Sequence, residues 1–303
     1  MLNELKNYLP EDILFYNEPL KMHSTFRIGG PADLLVTPTC DEQIAILFKF
    51  INENNIRFIV IGNGSNILFS DAGFRGIVIK IGSNFSGITF ECSEEGVVIN
   101  AKSGTLLSKV SSFACENSLT GLEFAAGIPG NVGGAILMNA GAYDGEISFV
   151  LRKSTYFDIK NLCFGTKYYK EHDFSYRHSS YEEDGHIILS GSFLLKKGNK
   201  EDIVNKIKDL NGRRVSKQPL EYPSAGSTFK RPEGFFAGKL IEDAGLKGFS
   251  VGGAMVSEKH CGFVINKGNA TCDDVLNVIE YVRKSVFDKF GVLLETEIKI
   301  IEA

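Results

Sequence analysis

The chain has no C-x-x-C pair, no long apolar run and no excess of basic charge, and each absence closes off a class of function. Its six cysteines, Cys40, Cys92, Cys115, Cys163, Cys261 and Cys272, are widely scattered. That spacing argues against a zinc knuckle or a dithiol redox pair and fits reduced thiols in a cytoplasmic protein. No run of about 18 apolar residues occurs, so no membrane-spanning segment is expected. Residues 1–10 carry acids and have no apolar core, unlike a signal peptide. A net charge of -4 argues against general nucleic-acid binding, which calls for a basic face. No internal repeat, low-complexity segment or metal-ligand spacing is evident, and a monomer is expected.

What the chain has in quantity is glycine, 32 residues in 303, which points to many tight backbone positions. The densest stretch, residues 127–145, reads Gly-Ile-Pro-Gly-Asn-Val-Gly-Gly-Ala-Ile-Leu-Met-Asn-Ala-Gly-Ala-Tyr-Asp-Gly and carries a single formal charge. Without Cβ atoms, backbone amides can approach a bulky ligand there, and φ can be positive. Asn in place of Lys or Arg suggests that backbone amides meet that ligand. A surface loop is the alternative.

The length allows two or three domains. Ile44, Leu47, Phe48 and Ile51 recur at helical spacing over 42–54, with Asp41 as a candidate cap. Strands are expected at 57–61 and 77–81, and a hairpin at 88–92 and 97–101. A second amphipathic helix covers 105–118, and strand signals return at 151–159 and 187–197. Charged helical sequence covers 199–211, and a further helix is expected at 234–244. The strongest helix signal spans 272–290, with a capping-box-like start from Thr271 to Asp274 and Gly291 at its end. A final strand is expected over 293–301.

Two shorter loops accompany the glycine-rich one. Arg27 precedes a Gly29-Gly30-Pro31 turn and could hold a phosphate or a carbonyl, or could lie in a surface turn. Gly62-Asn63-Gly64-Ser65-Asn66 follows a predicted strand, where loop amides can bind phosphate. It is not a dinucleotide fingerprint, because residue 67 is Ile where G-x-G-x-x-G needs Gly, and no Gly-Lys-Ser/Thr follows to make a P-loop.

Taken in order, seven motifs resemble the UDP-N-acetylenolpyruvoylglucosamine reductase family over almost the whole chain. They are Thr25-Phe26-Arg27-Ile28-Gly29-Gly30-Pro31-Ala32, Gly62-Asn63-Gly64-Ser65-Asn66-Ile67-Leu68, Gly127-Ile128-Pro129-Gly130-Asn131-Val132-Gly133-Gly134-Ala135, Asn139-Ala140-Gly141-Ala142-Tyr143, Phe174-Ser175-Tyr176-Arg177, Pro223 to Pro232, and Leu294-Glu295-Thr296-Glu297-Ile298. The resemblance implies an α+β protein with a vanillyl-alcohol-oxidase-like (PCMH-type) FAD-binding fold. Two α/β subdomains, over 1–75 and 76–198, would bind FAD, and a C-terminal α+β domain over 199–303 would bind substrate. NADPH would reduce the flavin, and UDP-N-acetylglucosamine enolpyruvate would then take up the hydride to give UDP-N-acetylmuramate.

The same resemblance implies the site residues. Cofactor contacts fall to Arg27, Gly29, Gly62, Asn63, Gly64, Ser65, Asn66, Gly127, Ile128, Pro129, Gly130, Asn131, Gly133, Gly134 and Ala135. Arg177 and Glu297 would stabilise the enolate, and Ser227 would protonate it, with Ser224 and Thr228 as neighbouring hydroxyls. Lys217, Arg231 and His260 would contact substrate. These residue types suit the chemistry. A guanidinium stays charged and meets a carboxylate bidentately, and a Glu can donate a hydrogen bond if burial keeps it protonated. Glu295 would share a strand face with Glu297, and the choice between them rests on the motif. Lys217 and Arg231 could equally be solvated charges. The short Arg177–Pro223 interval implies the family form without an extra Tyr-bearing loop, so Tyr181 is not given that role. An oxidase on the same fold and a non-catalytic sugar-nucleotide binder are the competing functions.

Overall fold

The computed structural model describes residues 2–303. Packing groups them into two units interleaved in sequence. Unit 1 comprises Met1–Phe15, Leu34–Asn63 and Ile77–Arg214, and unit 2 comprises Tyr16–Asp33, Gly64–Gly76 and Val215–Ala303.

Unit 1 contains two apolar cores. In the first, the helix Asp41–Asn54 buries Ile44, Leu47, Phe48 and Ile51 against Leu34, Val36, Ile77 and Ile79. Its periodic stripe is the one expected, but Cys40 is the N-cap and Asp41 opens the first turn. There the carboxylate interacts with the helix dipole instead of capping it. The strand Phe58–Ile61 pairs in parallel with the chain from Ile77 to Lys80.

The second core lies on an antiparallel sheet. Its strands run in the order Cys163–Tyr168, Leu151–Asp158, Ile187–Lys197, Gly96–Lys102 and Ile88–Ser93. Ile187–Lys197 is buried on both faces, with Ile187 and Leu189 in the first core and Ile188, Phe193 and Leu195 in the second. The helix Leu107–Glu116 adds Leu107 and Val110. The helix Val132–Leu137, inside the glycine-rich loop, packs Ile136 on the central strand. Its six residues contain Gly133 and Gly134, which is why no helical stripe stood out in sequence.

In unit 2 the helix Cys272–Phe290 packs Val275, Val278, Ile279, Val282 and Val286 against the helix Ala237–Asp243 and a small antiparallel sheet. That sheet joins Ser250–Val251, Ala254–Val256 and Val264–Asn266. Thr271 Oγ1 accepts from Asp274 N at 3.0 Å, and Asp274 Oδ2 accepts from Thr271 N at 3.0 Å. This is the reciprocal capping box read from the sequence. Gly291 closes the helix at φ 68°. Phe26, Ile28 and Leu68 from the N-terminal third belong to this core. The expected final strand shrinks to Lys299–Ile301, paired in parallel with Ile67–Phe69. The charged helix extends to Lys200–Lys217, started by Asn199 Oδ1, which accepts from Glu201 N at 2.8 Å.

All six cysteines are free thiols, and burial pushes the Cys272 thiol up to about 11. Among the described residues no helix is long and apolar enough to cross a membrane, and no His, Cys, Asp and Glu cluster is arranged to hold a metal.

Two outcomes follow from this packing. Thr271→Ala removes the reciprocal cap and should lower the urea-unfolding free energy by about 1 kcal/mol. His172 is fully buried, and burial followed by Lys167 holds its pKa below the ordinary 6.5. The unfolded chain therefore binds a proton that the folded chain refuses, so stability falls as pH drops below about 6.5. Melting temperatures measured from about pH 7.5 to 5.5 should fall less steeply in His172→Gln; an unchanged slope would refute the assignment.

Candidate active site

In unit 1 the chain brings two of the glycine loops together. Asn63 Nδ2 donates to Pro129 O at 2.6 Å, and Asn131 Nδ2 donates to Ile81 O at 3.0 Å. A Cβ built on Gly62 would lie 3.5 Å from the Asn131 side chain, an ordinary contact. The backbone of the longer loop is tied down at each step. Ile128 N donates to Ala125 O (3.1 Å), and Gly130 O accepts from Leu107 N (3.0 Å). Val132 N donates to Thr105 O and Gly133 N to Ser103 O, each at 2.9 Å. Those two amides therefore face the protein.

The glycines of this loop fall into two kinds. Gly127 and Gly133 are closely packed, since a Cβ would come within 2.9 Å of Arg214 Cδ and 3.0 Å of Ser103 Cβ. A Cβ built on Gly134 would meet nothing within 4 Å beyond its own helix backbone and chain neighbours. Ala135 is buried in the helix behind it.

Arg177 also belongs to unit 1. It sits at φ 58° in a turn closed by Ser175 N donating to His178 O (3.2 Å) and His178 N donating to Ser175 O (3.3 Å). Its Nη2 donates to Gly141 O at 3.3 Å, and its guanidinium lies 5.1 Å from the Tyr176 ring centre. Tyr181, by contrast, is 1% exposed and bonded to Ser154 Oγ at 2.7 Å, so it is a core residue.

Unit 2 holds the remaining candidates. Arg27 has φ 57° and lines a cavity of about 610 Å³ with Lys21, Asp71, Tyr222, Asn266 and Lys267. Gly29 has φ 139°, and a Cβ there would lie 2.7 Å from Phe69 Cβ. Gly64 at φ 65° lies under His23 O, where a Cβ would approach to 2.1 Å. Ser65 follows in the same turn, half-buried.

Asn66 Nδ2 donates to Glu297 O at 3.1 Å, and Asn66 O accepts from Lys299 N at 2.9 Å. The other side of Glu297 is held by Thr228, whose carbonyl accepts from Glu297 N at 2.8 Å. Thr228 is 1% exposed; its N donates to Gly262 O (2.8 Å) and its Oγ1 accepts from Val264 N (2.9 Å). Ser227 and Glu297 are thereby placed on adjoining segments, joined by the Phe229–Thr296 bridge. Glu295 is exposed and ion-paired with Lys230 at 3.4 Å. Ser224 offers its carbonyl to Thr25 Oγ1 at 2.7 Å.

His260 lies beside this cluster. Its Nδ1 accepts from Gly262 N at 3.1 Å, so the neutral ring carries its proton on Nε2. Burial, and then the nearby Lys217 charge, push its pKa down. Lys217 ends the helix Lys200–Lys217, and Arg231 stacks its guanidinium 3.9 Å from the Phe236 ring centre. The sequence resemblance marks Asn66 as a cofactor contact and Thr228 as a neighbouring hydroxyl; their positioning bonds link segments far apart in the chain and leave no local signal.

Residues 218–301 match the family model of the UDP-N-acetylenolpyruvoylglucosamine reductase C-terminal domain, and residues 32–154 match an FAD-binding domain. A UDP-N-acetylenolpyruvoylglucosamine reductase of Lachnoclostridium phytofermentans is 50% identical over 99% of this chain and 97% of its own. One from Clostridium perfringens is 52% identical over 95% of both chains. The crystal structure of the Thermus caldophilus reductase superposes with a TM-score of 0.79 at 33% identity, covering 95% of this chain and 98% of that one. A Phl p 4 glucose oxidase variant superposes at TM-score 0.51 and 14% identity over 66% of this chain, a likeness of fold alone. The fold is thus the α+β, PCMH-type FAD-binding fold expected.

The two kinds of glycine should separate by experiment. Gly64→Ala should destabilise the cofactor-free protein by more than about 1 kcal/mol in urea, because it forces a side chain into positive φ and a backbone oxygen. Gly134→Ala should leave that stability within about 1 kcal/mol of the parent and lower the flavin bound on purification. Full flavin content in Gly134→Ala would show that the open space serves no ligand.

Proposed function

The chain belongs to the UDP-N-acetylenolpyruvoylglucosamine reductase family, and from that premise we propose how its own residues carry the reaction. The protein is an FAD-dependent oxidoreductase that uses NADPH to reduce UDP-N-acetylglucosamine enolpyruvate to UDP-N-acetylmuramate, a peptidoglycan precursor. The residues present fit FAD. The tied loops at Gly62–Asn63 and Pro129–Asn131 make a fixed wall, and a side chain at Gly134 would point into open space. Arg27, Gly29, Gly62, Asn63, Gly64, Ser65, Asn66 and the 127–135 loop are the proposed cofactor-side residues. Within that set, Asn66 acts from behind by holding Glu297. When bound, FAD supplies the hydride for the vinyl carbon of the substrate.

The protein's own part begins with the charge left behind. Hydride addition at the terminal carbon puts negative charge on C2, delocalised into the carboxylate as an enolate. A preorganised cation and hydrogen-bond donors lower the cost of that charge. Arg177 is the cation, aimed by a closed turn, and Glu297 is the second group, with its backbone fixed on both sides. Ser227 delivers the proton to C2. The observation that supports this reading is the Thr228 linkage, which ties the segment carrying Ser227 to the segment carrying Glu297 by backbone hydrogen bonds. Lys217 and Arg231 are the proposed partners of the diphosphate, and neutral His260 of an uncharged part of the substrate.

The functional segments proposed are 1–75 and 76–198 for the cofactor and 199–303 for the substrate, in a cytoplasmic monomer. Purified protein should be yellow and should bleach with NADPH under anaerobic conditions. Ser227→Ala should bleach at the parent rate and be reoxidised by the enolpyruvyl sugar nucleotide about 10²-fold or more slowly. Equal loss in both half-reactions would remove Ser227 from the proton-donor role.

A further inference from the structure

The turn that carries Arg177 is held by one buried amide. Asn139 is 1% exposed and has φ 42°, a left-handed conformation that Asn tolerates better than most residues. Each polar atom of its side chain has a partner. Nδ2 donates to Ser175 O at 3.1 Å and to Glu146 Oε1 at 3.0 Å, while Oδ1 accepts from Ser148 N at 2.9 Å. Ser175 O is the same carbonyl that closes the Tyr176–Arg177 turn by accepting from His178 N. Two residues past Asn139, Gly141 O accepts from Arg177 Nη2. On the far side of the turn, Ser179 Oγ donates to Leu137 O at 2.7 Å. The stretch 137–141 therefore touches the Arg177 turn before, at and after the arginine.

The local backbone is strained in a way that makes this support matter. Tyr143 and Asp144 form the two-residue connection between Gly141–Ala142 and Gly145–Glu146, at φ 51° and 66°. Positive φ at both positions matches a type I′ hairpin turn, which favours Asn-Gly or Gly-Gly over these residues. With Asn139 and Arg177, four non-glycine residues in this one neighbourhood are left-handed. Strain of this kind persists only where the surroundings over-determine it. Glu146 helps hold the hairpin through Asn139 Nδ2 and Ser148 Oγ.

We propose that Asn139 is a positioning residue for Arg177: its amide fixes the Ser175 carbonyl and the Gly141 segment, and so sets the direction in which the guanidinium meets the substrate carboxylate. The proposal rests on the reading of Arg177 as the carboxylate-binding cation. A glycine would satisfy the backbone at position 139 equally well, so what Asn adds is the three side-chain bonds.

Asn139→Asp keeps the shape of the side chain, removes its N–H donors and places a carboxylate against Glu146. Asn139→Gly keeps the left-handed backbone and removes every side-chain bond. In the flavin-loaded enzyme both variants should be reduced by NADPH at the parent rate. Reoxidation by the enolpyruvyl substrate should slow about 10²-fold, the order expected for a misplaced catalytic group. In an Arg177→Lys background, adding Asn139→Asp should slow reoxidation less than about 2-fold further, because the two changes remove one shared function. Equal slowing of both half-reactions, or full multiplication of the two losses, would mark Asn139 as a structural residue and overturn the proposal. If Arg177→Lys is slow while both Asn139 variants react at the parent rate, the positioning role falls and the reading of Arg177 stands. If Arg177→Lys itself reacts normally, both fall.

Discussion

Parallel pairing of Ile67–Phe69 with Lys299–Ile301 is the constraint on which the C-terminal site depends. It joins segments more than two hundred residues apart, a closure whose entropy cost grows only slowly with length. The register sets Lys299 opposite Ile67 and extends by one hydrogen bond to Asn66. From there the order of the chain does the rest. Asn66 reaches Glu297 O, Glu297 N reaches Thr228 O, and Thr228 brings Ser227 and the Gly262 turn into the same frame. A one-residue slip would turn the Glu297 side chain to the opposite face. The core around Val275, Ile279 and Val282 supplies the burial that keeps the frame in one register.

The glycines reflect two separate demands. Gly30 and Gly64 lie where the protein's own backbone atoms occupy the place of a Cβ. Such positions make the loops compact and fix their paths, and they would be glycine in a protein with no ligand at all. Gly134 has no such explanation: it lies in a helix with open space where its side chain would be. Glycine in a helix is destabilising by roughly 0.5–1 kcal/mol relative to alanine. The open flank of Gly134 is where the proposed cofactor contact would lie.

Much of the local structure was legible in the sequence, and the reason is physical. The helix Cys272–Phe290 announced itself by an apolar stripe, a capping box and a terminal glycine, all of which act within a few residues. The helix Asp41–Asn54 and the hairpin from Ile88 to Lys102 were legible on the same terms. The Val132–Leu137 helix was not, because a short helix with two glycines has no period to read. The short final strand was overestimated because Leu294 and Ile298 are buried by irregular chain between isolated bridges and not by a sheet. Interleaving of the two units was invisible, since it depends on non-local pairing and on Phe26, Ile28 and Leu68 entering a distant core. Arg177, Ser227 and Glu297 came from motif order. No propensity distinguishes Glu297 from Glu295; in the structure Glu295 is exposed and paired with Lys230, while the Glu297 backbone is bonded to Thr228 and Asn66.

Support for the Arg177 turn extends beyond Asn139 into a buried polar chain. His172 Nδ1 donates to Tyr169 O at 3.1 Å, which leaves Nε2 to accept from Ser154 Oγ at 2.7 Å, and Tyr181 in turn donates to Ser154. Ser180 N donates to His172 O at 2.8 Å, and Lys167 reaches both Ser180 Oγ and Asp184. The segment from Asp173 to Ser180 is thus pinned at its start and at its end, with Arg177 between. Burial that keeps His172 neutral preserves its acceptor nitrogen and with it the chain of donors. A cation that must stabilise charge only as it develops gains most when its position is fixed in advance, because no reorganisation is then needed at the moment of reaction. The polar groups buried in this part of the fold hold the turn that carries Arg177, which is what the proposed role would require.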